Sequence, residues 1–115
     1  MDLCYRSRAA NKKNYVCKKI KFTHYGAQSV DSKFSHQYTL NRSWHYNWSK
    51  FYYFMKNFGY FFALRKIFPN FLRSIKRMFI YKVCRKNKEY SINKNEFLGI
   101  INSILKKPSN YRPFE

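Results

Sequence analysis

From about Asn41 onward the apolar positions recur with helical spacing. Trp44, Trp48, Phe51, Tyr52 and Met55 fall on one face of a helix. Gly59 either breaks this helix or bends it. A short segment from Tyr60 to Phe68 follows, and Pro69 suits the first turn of a further helix. The apolar positions of that helix are Phe71, Leu72, Ile75, Met78 or Phe79, and Val83, with Lys82 interrupting the stripe. The polar run Arg85 to Tyr90 precedes a last helix, predicted from Ser91 or Asn93 to Lys106. It carries Phe97, Leu98, Ile100, Ile101, Ile104 and Leu105. Pro108 stops it, and Tyr111-Arg112-Pro113 reads as an extended tail.

The N-terminal part follows another pattern. Asp2 to Ala10 reads as a short helix with Asp2 as its N-cap, closed by Asn11 to Asn14, where Asn14 suits the left-handed conformation. Tyr15-Val16-Cys17 and Ile20 to Tyr25 read as extended. Ile20, Phe22 and His24 alternate with Lys21, Thr23 and Tyr25, which puts His24 on the face of Ile20 and Phe22. Gly26-Ala27-Gln28-Ser29 is a loop, and the chain stays irregular to about Thr39. A lone strand has no ladder partners and is not stable alone. The expected fold class is therefore an α/β fragment over residues 1–35, followed by an α-helical extension over residues 36–115.

Composition changes this picture in one respect. There are 24 Lys and Arg against 5 Asp and Glu, a formal charge of +19 over 115 residues. A field of that strength draws in phosphates, anionic lipid or nucleic acid. Lys, Asn, Ile, Phe and Tyr, all encoded by AT-rich codons, make up half of the chain, so mutational bias supplies part of the lysine excess. The 12 Phe and 11 Tyr exclude a disordered tail. Aromatics in that number need a core, a partner surface or a membrane interface. Lys and Arg interrupt every apolar run, which leaves no spanning helix, and the start lacks the apolar stretch of a secretory leader, so none is expected. Three widely spaced cysteines suit a reducing compartment, the cytoplasm, better than a disulfide framework.

Four short motifs stand in an order that resembles a known family. Asp2-Leu3-Cys4-Tyr5-Arg6-Ser7-Arg8 and, further on, His24-Tyr25-Gly26-Ala27-Gln28-Ser29 look like the end of the catalytic domain of family 2 glycosyltransferases. Arg42 to Phe54, with Lys56 and Gly59 after it, resembles the segment that follows that domain in bacterial members that build surface polysaccharides. Ser109-Asn110-Tyr111-Arg112-Pro113 resembles the tail of the same subgroup. The resemblance covers nearly the whole chain but only the C-terminal portion of the family's length.

The resemblance implies that residues 1–35 are the C-terminal edge of a GT-A-like nucleotide-sugar domain. It also implies transfer of a sugar from a nucleotide diphosphate sugar to a glycan or lipid-linked acceptor. A base takes the acceptor proton, and a divalent cation, Mg²⁺ or Mn²⁺, neutralises the leaving diphosphate. The donor-binding strands, the Asp-x-Asp motif and the base would all lie upstream of Met1. The isolated chain is therefore expected to be inactive and to need no cofactor of its own. His24 matches the family position that approaches the metal or diphosphate; its other reading is a half-buried strand residue. Asp2 matches the acceptor side, or is simply a helix cap. Arg6 reads as a contact to acceptor or diphosphate, or as one more solvated cation. Ser29 reads as a phosphate donor or a turn cap.

The aromatic and basic helices allow two readings. One is an interfacial surface, with Trp44, Trp48, Phe51 and Tyr52 at the headgroup level and Lys50, Lys56, Arg65, Lys66, Arg73, Lys76 and Arg77 meeting anionic lipid. It would place the protein peripherally on the cytoplasmic face of the inner membrane. The other is that the Trp44 face packs against the missing catalytic domain. A rival class is a small basic non-enzymatic protein that binds RNA or anionic membrane, although no RNP-like strand, GXXG loop or helix-turn-helix spacing is present. The spacings of Cys17, His24, His36 and His45 fit no compact zinc module, and no Gly-rich phosphate loop exists.

Overall fold

The computed structural model describes residues 2–23 and 32–112. Helix α1 spans Asp2–Ala9, a 3₁₀ turn spans Ser32–Phe34, and three long helices follow: α2 (Ser35–Phe58), α3 (Tyr60–Val83) and α4 (Asn87–Ile104). Among the described residues there is no strand. The expected α/β fragment is therefore overturned; the described chain is all-helical. The physical reason is visible at the expected strands. Tyr15, Val16, Ile20 and Phe22 are all exposed, and among the described residues no strand lies beside them to form a ladder. The alternation was real, but alternation alone supplies no partner.

Helices α2, α3 and α4 run up, down and up. Their register is regular: His36 Nε2 lies 3.2 Å from Ser91 Oγ, and Ser103 Oγ donates to the Trp48 carbonyl at 2.9 Å. Both pairs are 55 residues apart, and so are Trp44 and Gly99, whose backbones touch. A constant offset means that α2 and α4 are parallel neighbours, with α3 antiparallel to both. Phe51, Ala63, Ile67 and Ile100 form the buried centre, flanked by Phe54, Met55, Tyr60, Leu64, Phe71 and Ile104. Phe71 stacks on Phe97, and Phe51 meets Tyr60 edge-on.

Gly99 sets the α2–α4 distance. A Cβ there would collide with the Trp44 carbonyl oxygen and lie 3.1 Å from its carbon and 3.2 Å from its Cα. Gly59 has a different task. It alone separates α2 from α3, at φ +89°, where an L side chain is strained, and its N–H still bonds the Met55 carbonyl at 3.1 Å. Of the two sequence alternatives, it breaks the helix.

Three helix ends share one closure. Asn11, Arg85 and Lys106 adopt φ of 55°, 54° and 54°. After each, the next N–H reaches back to a carbonyl five residues earlier: Lys12 to Ser7, Lys86 to Tyr81, and Lys107 to Asn102. The residue that closes α1 is thus Asn11, not Asn14. Three boundaries also differ from expectation, the first being the start of α2 at Ser35 rather than about Asn41. Pro69 lies inside α3 rather than in its first turn. Pro69 and Arg65 are both exposed, and the proline has no N–H to offer the Arg65 carbonyl. Helix α4 begins at Asn87 rather than at Ser91 or Asn93, so three residues, Cys84 to Lys86, separate it from α3.

Asparagine is a poor helix former because its amide competes for backbone. Here the competition is resolved within the helices. Asn47, Asn57, Asn93, Asn95 and Asn102 each donate Nδ2 to the carbonyl four residues back, at 2.7–3.2 Å. Asn47, Asn93 and Asn95 are buried, so the bond satisfies a donor that water cannot reach.

Candidate functional site

The C-terminal tail folds back onto α2. His45 Nε2 lies 3.1 Å from the Tyr111 carbonyl, and Nδ1 lies 2.8 Å from Ser109 Oγ. A carbonyl only accepts, so Nε2 carries the proton; in the neutral ring Nδ1 then accepts from the Ser109 hydroxyl. Tyr111 stacks on Trp44 at 5.5 Å between centroids and 16° between planes. One turn further on, Trp48 Nε1 donates to the Lys107 carbonyl at 3.0 Å. Trp44, His45 and Trp48 therefore clasp residues 107–111. Trp44 is buried under the tail and Phe51 in the core with α3 and α4, so these two do not reach a headgroup layer; Trp48 is half-buried and Tyr52 exposed.

The second feature is a polar cleft between α2, α3 and α4. Tyr46, Asn47 and Lys50 come from α2, Asn70, Arg73 and Arg77 from α3, and Glu96 from α4, around a cavity of about 250 Å³. A neighbouring hollow shares Tyr46, Asn47 and Glu96 and adds Arg42. Among the described residues the only ion pairs within 4 Å are those of Asp2, so Arg42, Lys50, Arg73 and Arg77 are unpaired by that measure. Burial pushes the Glu96 carboxyl above its usual range, against the opposing pull of Arg77 and Arg73.

The sign of that shift gives a test. A carboxyl raised in the folded state favours folding while protonated, and that contribution is lost as pH rises through the folded value. Glu96→Gln is therefore expected to melt higher than the parent at pH 7. The gap should close as pH falls towards about 4, where both forms are neutral. Melts of the two proteins at both pH values check this; a variant less stable at pH 7 contradicts it.

The third feature is the outer side of α3. Phe61, Phe68, Leu72, Ile75, Phe79 and Val83 are exposed, Phe61 at 86% and Phe79 at 71%. By helical spacing this band lies opposite Ala63, Ile67 and Ser74, which face the core. Arg65, Lys76 and Lys82 flank it. Beside it, Leu64, Phe68, Phe71, Ile101 and Ile104 line an apolar hollow of about 440 Å³. No helix among the described residues is long and apolar enough to cross a membrane.

The residues singled out in the sequence fall as follows. Asp2 stands in the first turn of α1, where Oδ2 pairs with Arg6 Nε at 3.0 Å and lies 3.8 Å from Lys56 Nζ. Asp2 and Arg6 thus hold one another, and they tie α1 to the end of α2. Tyr5 supports that contact edge-on against Tyr53 and Phe58. Asp2 Oδ1 is buried with no hydrogen-bond partner. His24 and Ser29 lie outside the described residues. Among those described, no three His, Cys, Asp or Glu side chains come together as a metal site. The cleft went unread in the sequence as a site, although Tyr46 with Lys50 and Arg73 with Arg77 stand one helical turn apart. No known protein family, curated protein or solved structure matches the chain.

Proposed function

We propose that this chain is the C-terminal, non-catalytic portion of a family 2 glycosyltransferase, and that it seats the enzyme on an anionic membrane surface that carries the acceptor. One observation carries the first half. The two resembling stretches of the helical region, Arg42–Phe54 and Ser109–Arg112, stand more than fifty residues apart, yet His45 bonds Ser109 and Tyr111, and Trp44 stacks on Tyr111. A chance likeness gives no reason for both stretches to meet in one clasp. The reading rests on this helical part and not on a sheet.

The second half draws on α3. Its outer band mixes aromatic with aliphatic side chains, Leu72, Ile75 and Val83 among them, and is flanked by cations. Aliphatic groups enter acyl chains but do not stack on bases, which favours lipid over RNA as the occupant. Basic flanks complement anionic headgroups.

Intact-mass analysis of the native protein from its source cells, detected through peptides of the Trp44–Lys50 region, tests the transferase reading. The expected result is a species well above 14.2 kDa that transfers sugar from a nucleotide diphosphate sugar with Mg²⁺ or Mn²⁺ supplied. The purified 115-residue chain should transfer none. A native mass of 14.2 kDa, or turnover by the isolated chain, overturns it.

A further inference from the structure

We propose that the polar cleft between α2, α3 and α4 binds a diphosphate group, through Arg42, Lys50, Arg73 and Arg77 with Tyr46 and Asn70 as neutral donors.

The cleft gathers more positive than negative charge. Four cations face a single carboxylate, Glu96, and none of the four is within ion-pair distance of an acidic group. On an ordinary solvated face the lysines and arginines of a +19 chain point apart to reduce repulsion. Here Lys50, Arg73 and Arg77 converge from two helices onto one hollow, which costs repulsion unless an anion enters. The hollow is not apolar. Its wall carries the amides of Asn47 and Asn70 and the Tyr46 hydroxyl, groups that donate to phosphoryl oxygens. Asn47 Nδ2 gives one N–H to the Ser43 carbonyl, which leaves Asn70, Tyr46 and the second Asn47 N–H as neutral donors.

The arrangement suits two linked phosphoryl groups better than one. Arg73 and Arg77 stand one turn apart on α3, and Tyr46 and Lys50 one turn apart on α2. Donors therefore line the cleft on two levels. Arginine forks bind phosphoryl oxygens in a bidentate manner, and each fork can take its own group. The neighbouring hollow carries Arg42 on past Tyr46 and lengthens the site. Glu96 repels an entering anion and sets a limit on affinity. The proposal stands on these residues alone and does not need the transferase reading.

The test titrates the 115-residue chain with sodium pyrophosphate and with inorganic phosphate at constant ionic strength, by calorimetry. Pyrophosphate is expected to bind one to one and more tightly than phosphate. Arg73→Gln with Arg77→Gln should weaken it by about tenfold or more, as expected for lost charge-assisted bonds. Lys50→Gln, on the other wall, should weaken it as well, and circular dichroism melts show whether each variant is folded. Lys12→Gln with Lys13→Gln removes the same two charges from an exposed segment far along the chain and should leave binding unchanged. Glu96→Gln should tighten it. Phosphatidylcholine vesicles with and without a prenyl diphosphate separate the sources. If free pyrophosphate displaces the chain from the prenyl diphosphate vesicles, the ligand is a headgroup; if only free pyrophosphate binds, it is soluble; both outcomes support the cleft. Absence of binding in both forms overturns the proposal, and so does equal weakening by the Lys12/Lys13 pair.

Discussion

Gly99→Ala is expected to destabilise the chain, although alanine is the better helix former. The helix propensity gain is about 1 kcal/mol. Against it stands the collision of the new methyl with the Trp44 carbonyl oxygen. Overpacking of this kind costs about 1–3 kcal/mol where the neighbour yields, and more where it does not. Here the neighbour is backbone, and it is held on both sides. Ser103 bonds the Trp48 carbonyl one turn along, and Trp44 is pinned from outside by the Tyr111 stack. The helices must separate, which loosens Phe51 and Ile100 behind them. The collision wins. A net loss of about 1–2 kcal/mol lowers the melting temperature by roughly 5–10 °C in a domain of this size. Gly99→Val adds bulk and β-branching at the same point and should lose about 3 kcal/mol or more. Thermal melts followed by tryptophan emission read both, because Trp44 and Trp48 lie at the contact. A Gly99→Ala protein as stable as its parent would show that α2 and α4 do not cross there.

That contact marks the boundary of what the sequence made legible. The three long helices follow from period and turn chemistry, and the face carrying Trp44, Phe51 and Met55 is indeed the inner face of α2. What that face meets was not legible. Gly99 inside an apolar run reads only as a helix weakness until Trp44 is seen across from it. Pro69 suits a helix start because its missing N–H is an orphan there, and only the continuous helix Tyr60–Val83 shows that it lies in the interior. The strands were misread for the opposite reason. Residues Ile20 to Thr23 have a strand's alternation, but a sheet is a property of several segments and the described chain offers none. Asp2 carried two readings, a helix cap or the acceptor side, and Arg6 two, a solvated cation or a ligand contact; their four-residue spacing on one helix also fits the ion pair they form. The cleft needed the fold, since Lys50, Arg73 and Glu96 come from three helices.

The outer band of α3 makes the second large expectation. On vesicles rich in phosphatidylglycerol the chain should bind, and on phosphatidylcholine alone it should bind weakly. Burying an exposed Phe in an apolar phase is worth about 1.5–3 kcal/mol, and a surface helix immerses such side chains only in part. Phe68→Ser with Phe79→Ser should therefore cost about 3 kcal/mol, or more than a hundredfold in partitioning. Each nearby Lys or Arg adds about 1 kcal/mol on an anionic surface, so Arg65→Gln with Lys76→Gln should weaken binding by about thirtyfold and flatten its salt dependence. These side chains point away from Ala63, Ile67 and Ser74, so the fold should survive both changes, and an unaltered melt confirms it. Apolar and charge losses arise from different forces and separate under salt: high salt removes the second and spares the first. A solvated band predicts no loss from the serines. An RNA-binding surface predicts that RNA competes the chain off the vesicles and that both pairs of changes weaken RNA binding, the phenylalanines through lost stacking on bases. Loss of vesicle binding in the serine variant at high and low salt alike is the result that assigns this face to lipid.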